Sequence, residues 1–107
     1  MGMTVFDVES IHAMFSGNAV KFTEHFKIRL KERGIKFADV KQALLFGEII
    51  EQCPDDQPLP SVLFFGYTCD NNPLHVAVGV DDEYIFLITA YFPSADIWEA
   101  DYKTRKA

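Results

Sequence analysis

His25, Arg29 and Arg33 recur at intervals of four in the stretch 23–35, Thr-Glu-His-Phe-Lys-Ile-Arg-Leu-Lys-Glu-Arg-Gly-Ile, and on a helix that spacing stacks them into one cationic ridge. At roughly 100° per residue, with Phe26 as reference, Leu30 and Arg33 fall near Phe26 while Arg29 and His25 step round one flank. Lys27, Glu24, Lys31 and Glu32 take the far side, so the ridge borders the buried face. Further on, His75, Thr89 and Tyr91 lie in segments of alternating character. Metal-free RNA cleavage needs a base for the ribose 2′-hydroxyl, an acid for the leaving oxygen, and donors around the phosphate. Histidine suits the first two roles because it titrates near neutrality. Arginine suits the third through its bidentate fork. His25 and His75 are therefore the candidate acid and base, Arg29 and Arg33 the candidate phosphate ligands, and Thr89 and Tyr91 the positioning groups.

Each of these residues also has a structural reading. A strand histidine beside a threonine is more often a hydrogen-bonded structural residue than a catalyst. Arg33, near the middle of the apolar side at a helix end, suits capping and aromatic stacking. Trp98 reads as a lid over the sheet edge. The carboxylate pairs Asp55/Asp56 and Asp81/Asp82 read as solvated turns.

The elements that must position these groups follow from periodicity. Val5, Val8, Ile11, His12 and Phe15 define a first amphipathic helix over 4–16, ending near Gly17, with His12 on its face. Thr23 suits the N-cap of the second helix and Gly34 its C-terminal cap, where Arg33 meets the negative pole of the dipole. Phe37, Val40, Ala43 and Leu44 form the apolar face of a third helix, stopped at Gly47. From Glu48 the period changes to two, and strands are expected at about 48–53, 61–68, 74–80 and 84–91. Between them, the 54–60 loop holds three prolines and Asn71-Asn72-Pro73 is a turn. The expected fold is α+β, three helices on a mainly antiparallel sheet of about four strands. Reading Asp81-Asp82-Glu83 as a three-residue loop pairs Val80 with Tyr84, Val78 with Phe86 and Val76 with Ile88 on one face. The same register puts His75 opposite Thr89 on the other face.

At 107 residues and 49% hydrophobic content, with 10 Phe, the chain fits one domain: a helical layer over about 4–46, a sheet over about 48–91, and a C-terminal segment 92–107. No apolar run approaches the ~20 residues of a membrane span, and the N-terminus lacks signal-peptide character. The expected location is the cytoplasm, with no membrane partner. Cys53 and Cys69 read as free thiols, and three His with two Cys give no zinc spacing, so neither metal nor cofactor is expected. The net charge of −6 is partitioned, with seven basic residues in 21–41, three in 103–106, and none among the eleven acids of 42–102. Overall acidity argues against strong nonspecific nucleic-acid binding. It leaves room for a local basic site or a basic partner.

The ordered set Phe-Thr-x-His-Phe-x-x-Arg-x-x-x-Arg-Gly-Ile, Gly-Glu-Ile-Ile-Glu, Pro-Asp-Asp-x-Pro-x-Pro-Ser, Pro-Leu-His-Val, Ile-Thr-Ala-Tyr and Trp-Glu-x-Asp-Tyr-x-x-Arg resembles the bacterial domain of unknown function family 4258 from about Phe22 to Arg105. The resemblance implies a RelE/ParE-like toxin fold and a small zinc-finger antitoxin as partner. It also implies signature roles for His25, Arg29, Arg33, His75 and Tyr91. Lys36 departs from it, standing where Ser or Thr commonly caps the third helix. The expectation is a toxin of a toxin–antitoxin pair acting on RNA as a metal-independent endoribonuclease; the alternative is a non-enzymatic protein-interaction domain. On the first reading, His25→Ala and His75→Ala each remove cleavage without lowering the melting temperature. Convergence of the two His rings and Arg29 in one crevice would favour chemistry, and dispersed, satisfied rings would favour structure.

Overall fold

The computed structural model describes residues 8–17, 19–57, 59–81 and 83–106. The first helix, α1, spans Val8–Ser16, and the part of it expected before Val8 lies outside the described residues. A short strand β1, Val20–Phe22, leads into α2, Glu24–Arg33, and α3, Phe37–Phe46. Strands β2 (Glu48–Cys53), β3 (Ser61–Tyr67), β4 (Pro73–Val80) and β5 (Ile85–Tyr91) follow. No helix among the described residues is long and apolar enough to cross a membrane.

Local chemistry sets the helix ends. The Thr23 hydroxyl accepts the Phe26 N–H at 3.1 Å, and Gly34, at φ 69°, donates its N–H to the Leu30 and Lys31 carbonyls. Lys36 makes no side-chain cap at α3, as its acceptor-free ammonium requires; only the reverse bond forms, from Lys36 N–H to the Asp39 carboxylate at 3.0 Å. Asp39 also accepts the Cys69 N–H at 3.0 Å, tying α3 to the β3–β4 turn. Burial works to raise the Asp39 pKa, but these two backbone donors outweigh it and hold the carboxyl below its usual range.

The sheet order is β1-β5-β4-β3-β2. Strands β2 to β5 form the expected antiparallel run, but the sheet has five strands and is mixed, because β1 pairs in parallel with β5 at one edge. Val20, Lys21 and Phe22 alternate as a strand does, but three residues are too few to establish the period, so periodicity alone does not mark β1. Ile11, Phe15, Phe26, Leu30, Val40, Ala43 and Leu44 of the helices bury one sheet face with Val62, Phe64, Leu74, Val76 and Val78. Helix α3 comes so close to β3 that a Cβ on Gly66 would lie 2.7 Å from the Ala43 Cα, so only glycine fits there.

The β4–β5 register differs from the expected one. Asp81 N–H donates to the Tyr84 carbonyl at 3.1 Å, and the Asp81 carboxylate accepts the N–H groups of Glu83 and Tyr84. Tyr84 is thus drawn into the turn, and Val80 pairs with Ile85, Gly79 with Phe86 and Val78 with Leu87. A bulge at Ile88 then restores the alternation, and Ala77 pairs with Thr89, Val76 with Ala90 and His75 with Tyr91. Ile85, Leu87 and Ala90 join the core, while Phe86 and the half-exposed Ile88 do not. His75 faces away from Val76, as expected, but its partner is Tyr91 rather than Thr89.

Candidate functional site

The six candidate residues are gathered as three pairs, not one constellation. The first pair lies on α2, where Arg29 Nε donates to His25 Nε2 at 3.2 Å, both side chains open to water. Arg29 also approaches Glu32 at 3.7 Å. Such exposed contacts contribute little to stability. They leave the imidazole and the guanidinium available to an incoming anion.

The second pair joins α2 to the sheet. Strand β1 covers β5 only along Ile85, Phe86 and Leu87. Beyond it the β5 edge is unpaired, and Arg33 Nη1 supplies the missing donor, to the Ala90 carbonyl at 2.8 Å and the Thr89 hydroxyl at 3.0 Å. Arg33 is therefore a tie between helix and strand, and no aromatic ring stacks on it among the described residues. Thr89 pairs with Ala77 and not, as expected, with His75.

The third pair, His75 and Tyr91, sits on the sheet face away from the helices, beneath the C-terminal segment. His75 is 0% exposed. Its Nε2 meets the Tyr102 carbonyl at 2.7 Å, and its Nδ1 meets the Tyr91 hydroxyl at 3.3 Å. A carbonyl only accepts, so Nε2 carries the proton and Nδ1 accepts from Tyr91. Both ring nitrogens are used. Burial holds the His75 pKa below its ordinary value, with the Tyr102 carbonyl opposing in part, and burial likewise raises Tyr91. A sealed, neutral, doubly bonded imidazole is not placed to exchange protons with a substrate.

The sequence marked Trp98 as a lid but not its place, and gave no role to Tyr102 or Arg105 in sealing His75. Trp98 packs edge-on against His75 at 4.5 Å between ring centroids, and Phe65 does so at 5.7 Å. Trp98 thus roofs the central strand β4 rather than the sheet edge. Arg105 lies over the Trp98 ring at 4.6 Å and forks onto Glu51 of β2 at 2.7 and 3.1 Å, while Lys103 reaches Glu48 at 2.9 Å. A backbone bridge between Trp98 and Arg105 folds the segment back on itself and places Tyr102, at φ 61°, near its tip with its carbonyl on His75. The signal was present in the chain: two of the three late basic residues, Lys103 and Arg105, answer the two acids of Gly-Glu-Ile-Ile-Glu. The remaining histidine, His12, donates from Nε2 to the Leu44 carbonyl and ties α1 to α3.

Cys53 and Cys69 are free thiols. Among the described residues, no three His, Cys, Asp or Glu side chains cluster as metal ligands would. Among the described residues, three helices on one face of a five-stranded mixed sheet, with a histidine–tyrosine pair sealed on the other, define a small α+β domain. Residues 22–92 match the family model described as Domain of unknown function (DUF4258), and the chain belongs to that family. All six candidate residues fall inside the matched stretch; Trp98, Tyr102 and Arg105 fall after it. No curated protein and no solved structure gives a significant match.

Proposed function

We propose that this chain is a non-enzymatic protein-interaction domain of a bacterial toxin–antitoxin pair, built on a RelE/ParE-like scaffold and working in the cytoplasm by docking rather than by cleavage. The carrying observation is the dispersal of the proton-transfer groups: His75 has both nitrogens occupied under Trp98, while His25 stands in water on α2 and makes no contact with it. A cleavage that uses one histidine as acid and the other as base needs both within reach of one phosphodiester. The scaffold assignment is supported by helices packed on one face of a largely antiparallel sheet.

A second reading keeps the endoribonuclease, with His25 as its single acid–base group and Arg29 as its phosphate ligand; their exposed 3.2 Å contact favours it. The decisive experiment incubates purified protein with structured and unstructured RNA in EDTA, beside expression in cells with and without the neighbouring gene product. The expected outcome is intact RNA. Cleavage that falls by ~10²-fold in His25→Ala would overturn the proposal in favour of the enzyme.

A further inference from the structure

Where β1 ends and α3 begins, Phe22 and Phe37 stack at 5.4 Å between ring centroids, yet remain 43% and 41% exposed. Two cavities share this aromatic pair as a common wall. One, of about 500 Å³, opens between α1, β1 and α3 over Val20 and Leu45. The other, of about 470 Å³, opens between α2 and α3 over Leu30 and Ile35. The second cavity is mainly apolar and the first mixed, with Phe15, Val20 and Leu45 beside Ser16, and their rims are cationic: Lys27, Lys31 and Lys36 edge the second and Lys41 the first. On α2 and α3, Asp39 is engaged by the backbone N–H groups of Lys36 and Cys69, and Glu32 by Arg29. Among the described residues, Glu24 alone pairs with a rim lysine, Lys27, at an exposed 3.8 Å. In a molecule of net charge −6, this is a concentrated cationic surface with an open apolar centre.

We infer that this groove docks an acidic amphipathic helix of a partner protein, seating one apolar side chain in each cavity and setting its carboxylates against the lysine rim. The inference rests on the interaction-domain reading and names the partner's chemistry. A helix presents apolar side chains one to two turns apart, about 6–10 Å along its axis, which suits two cavities parted by one pair of rings. Single-stranded RNA suits the groove less. Base edges want amide or hydroxyl partners, and among the described residues Ser16 is the sole such side chain in the two linings and none is an arginine.

The test uses the full chain and a designed ~16-residue capped peptide, long enough to be helical, with leucines on one face and glutamates on the other. A scrambled peptide of the same composition and a single-stranded RNA of similar length are the competing probes. The patterned peptide is expected to bind at low salt, the scrambled one about tenfold more weakly. Phe37→Ser and the double change Lys31→Glu with Lys41→Glu should each weaken binding about tenfold, with melting temperatures unchanged because all three sites are exposed. Equal binding by both peptides, no binding at millimolar concentration, or indifference to these substitutions overturns the inference. So does Phe37-dependent binding of RNA in place of the peptide, or Phe37-dependent self-association, which would give the groove to a second copy. RNA cleavage by the same preparation would sink the interaction-domain reading without touching the peptide result, so the two failures are distinct.

Discussion

His75 and His25 are opposite cases of one residue type. His75 is buried among Phe65, Tyr91 and Trp98, its tautomer fixed by a carbonyl on one nitrogen and a hydroxyl on the other. His25 stands on the first turn of α2, hydrogen-bonded among the described residues to Arg29 and open to solvent. Residue type and helical or strand spacing made them look like partners. Burial and the count of satisfied polar atoms separate them, one acting as a structural joint and the other as a surface group. A buried polar network stabilises only if every member is bonded, and on the sealed face it is, since no buried side-chain nitrogen or oxygen among the described residues lacks a partner.

The largest effect should come from removing the roof. Trp98 is 2% exposed and closes the sealed face, so Trp98→Ala should cost about 3–5 kcal/mol, the usual range for a buried Trp. Urea unfolding measures it. A loss below about 1 kcal/mol would mean that the C-terminal segment lies loosely on the sheet and that His75 is not sealed after all.

His75 itself makes stability depend on pH. Its folded pKa lies below the ordinary 6.5 because burial disfavours the imidazolium. As pH falls through about 6.5 the unfolded chain takes up a proton that the folded chain resists, so stability, full above that point, declines towards the folded pKa. The slope is at most about 1.4 kcal/mol per pH unit for one proton. Glu51, Arg105 and Tyr91 face the same pocket, and only the His75 slope should vanish in His75→Gln, measured between pH 7 and 5.5 where most carboxylates stay ionised. His75→Ala should lower the melting temperature, reversing the expectation drawn from the sequence, because it strands the Tyr102 carbonyl and the Tyr91 hydroxyl.

Arg33 lies between the two extremes. It is exposed along its length, yet its tip closes the unpaired edge of β5 through Thr89 and Ala90. Arg33→Ala should cost about 1–2 kcal/mol, the scale of charge-assisted bonds discounted for exposure. Thr89→Val should recover only the part carried by the hydroxyl. Thermal melts of both variants check the order, and an unchanged Arg33→Ala melt would place Arg33 with His25 among the free surface groups.

Most of the framework was legible because it is written in periodicity and punctuation. Thr23 and Gly34 bracket α2, Gly47 ends α3, and alternation from Glu48 gives four strands nearly to the residue. Strand β1 was not legible, since three residues paired in parallel with a distant strand carry no local signature. The β4–β5 register failed for a different reason. A turn one residue longer and a bulge at Ile88 shift the pairing by one residue and then by one more, and only tertiary packing reveals that the two shifts together set Tyr91, not Thr89, opposite His75. The surroundings of His75 were not legible because sequence shows which residues can do chemistry, whereas the Trp98 roof and the Arg105–Glu51 clamp over it depend on contacts 23 and 54 residues apart along the chain.

The smallest stability effect, and the most telling, is expected at His25. Its one hydrogen bond is exposed, it lies outside the core, and it caps nothing, the N-cap being Thr23. His25→Ala should therefore leave unfolding free energy within about 0.5 kcal/mol of the parent, and Arg29→Ala likewise. Stability being silent, any functional loss in these two variants must come from contact with a ligand. If both remain as competent in RNA and partner assays as the parent while Phe37→Ser does not, the active surface of the molecule is the lysine-rimmed groove and the ridge is only a solvated flank. If His25→Ala alone loses cleavage, the open histidine is the chemical one, and the contrast with His75 becomes a division of labour between catalysis and architecture.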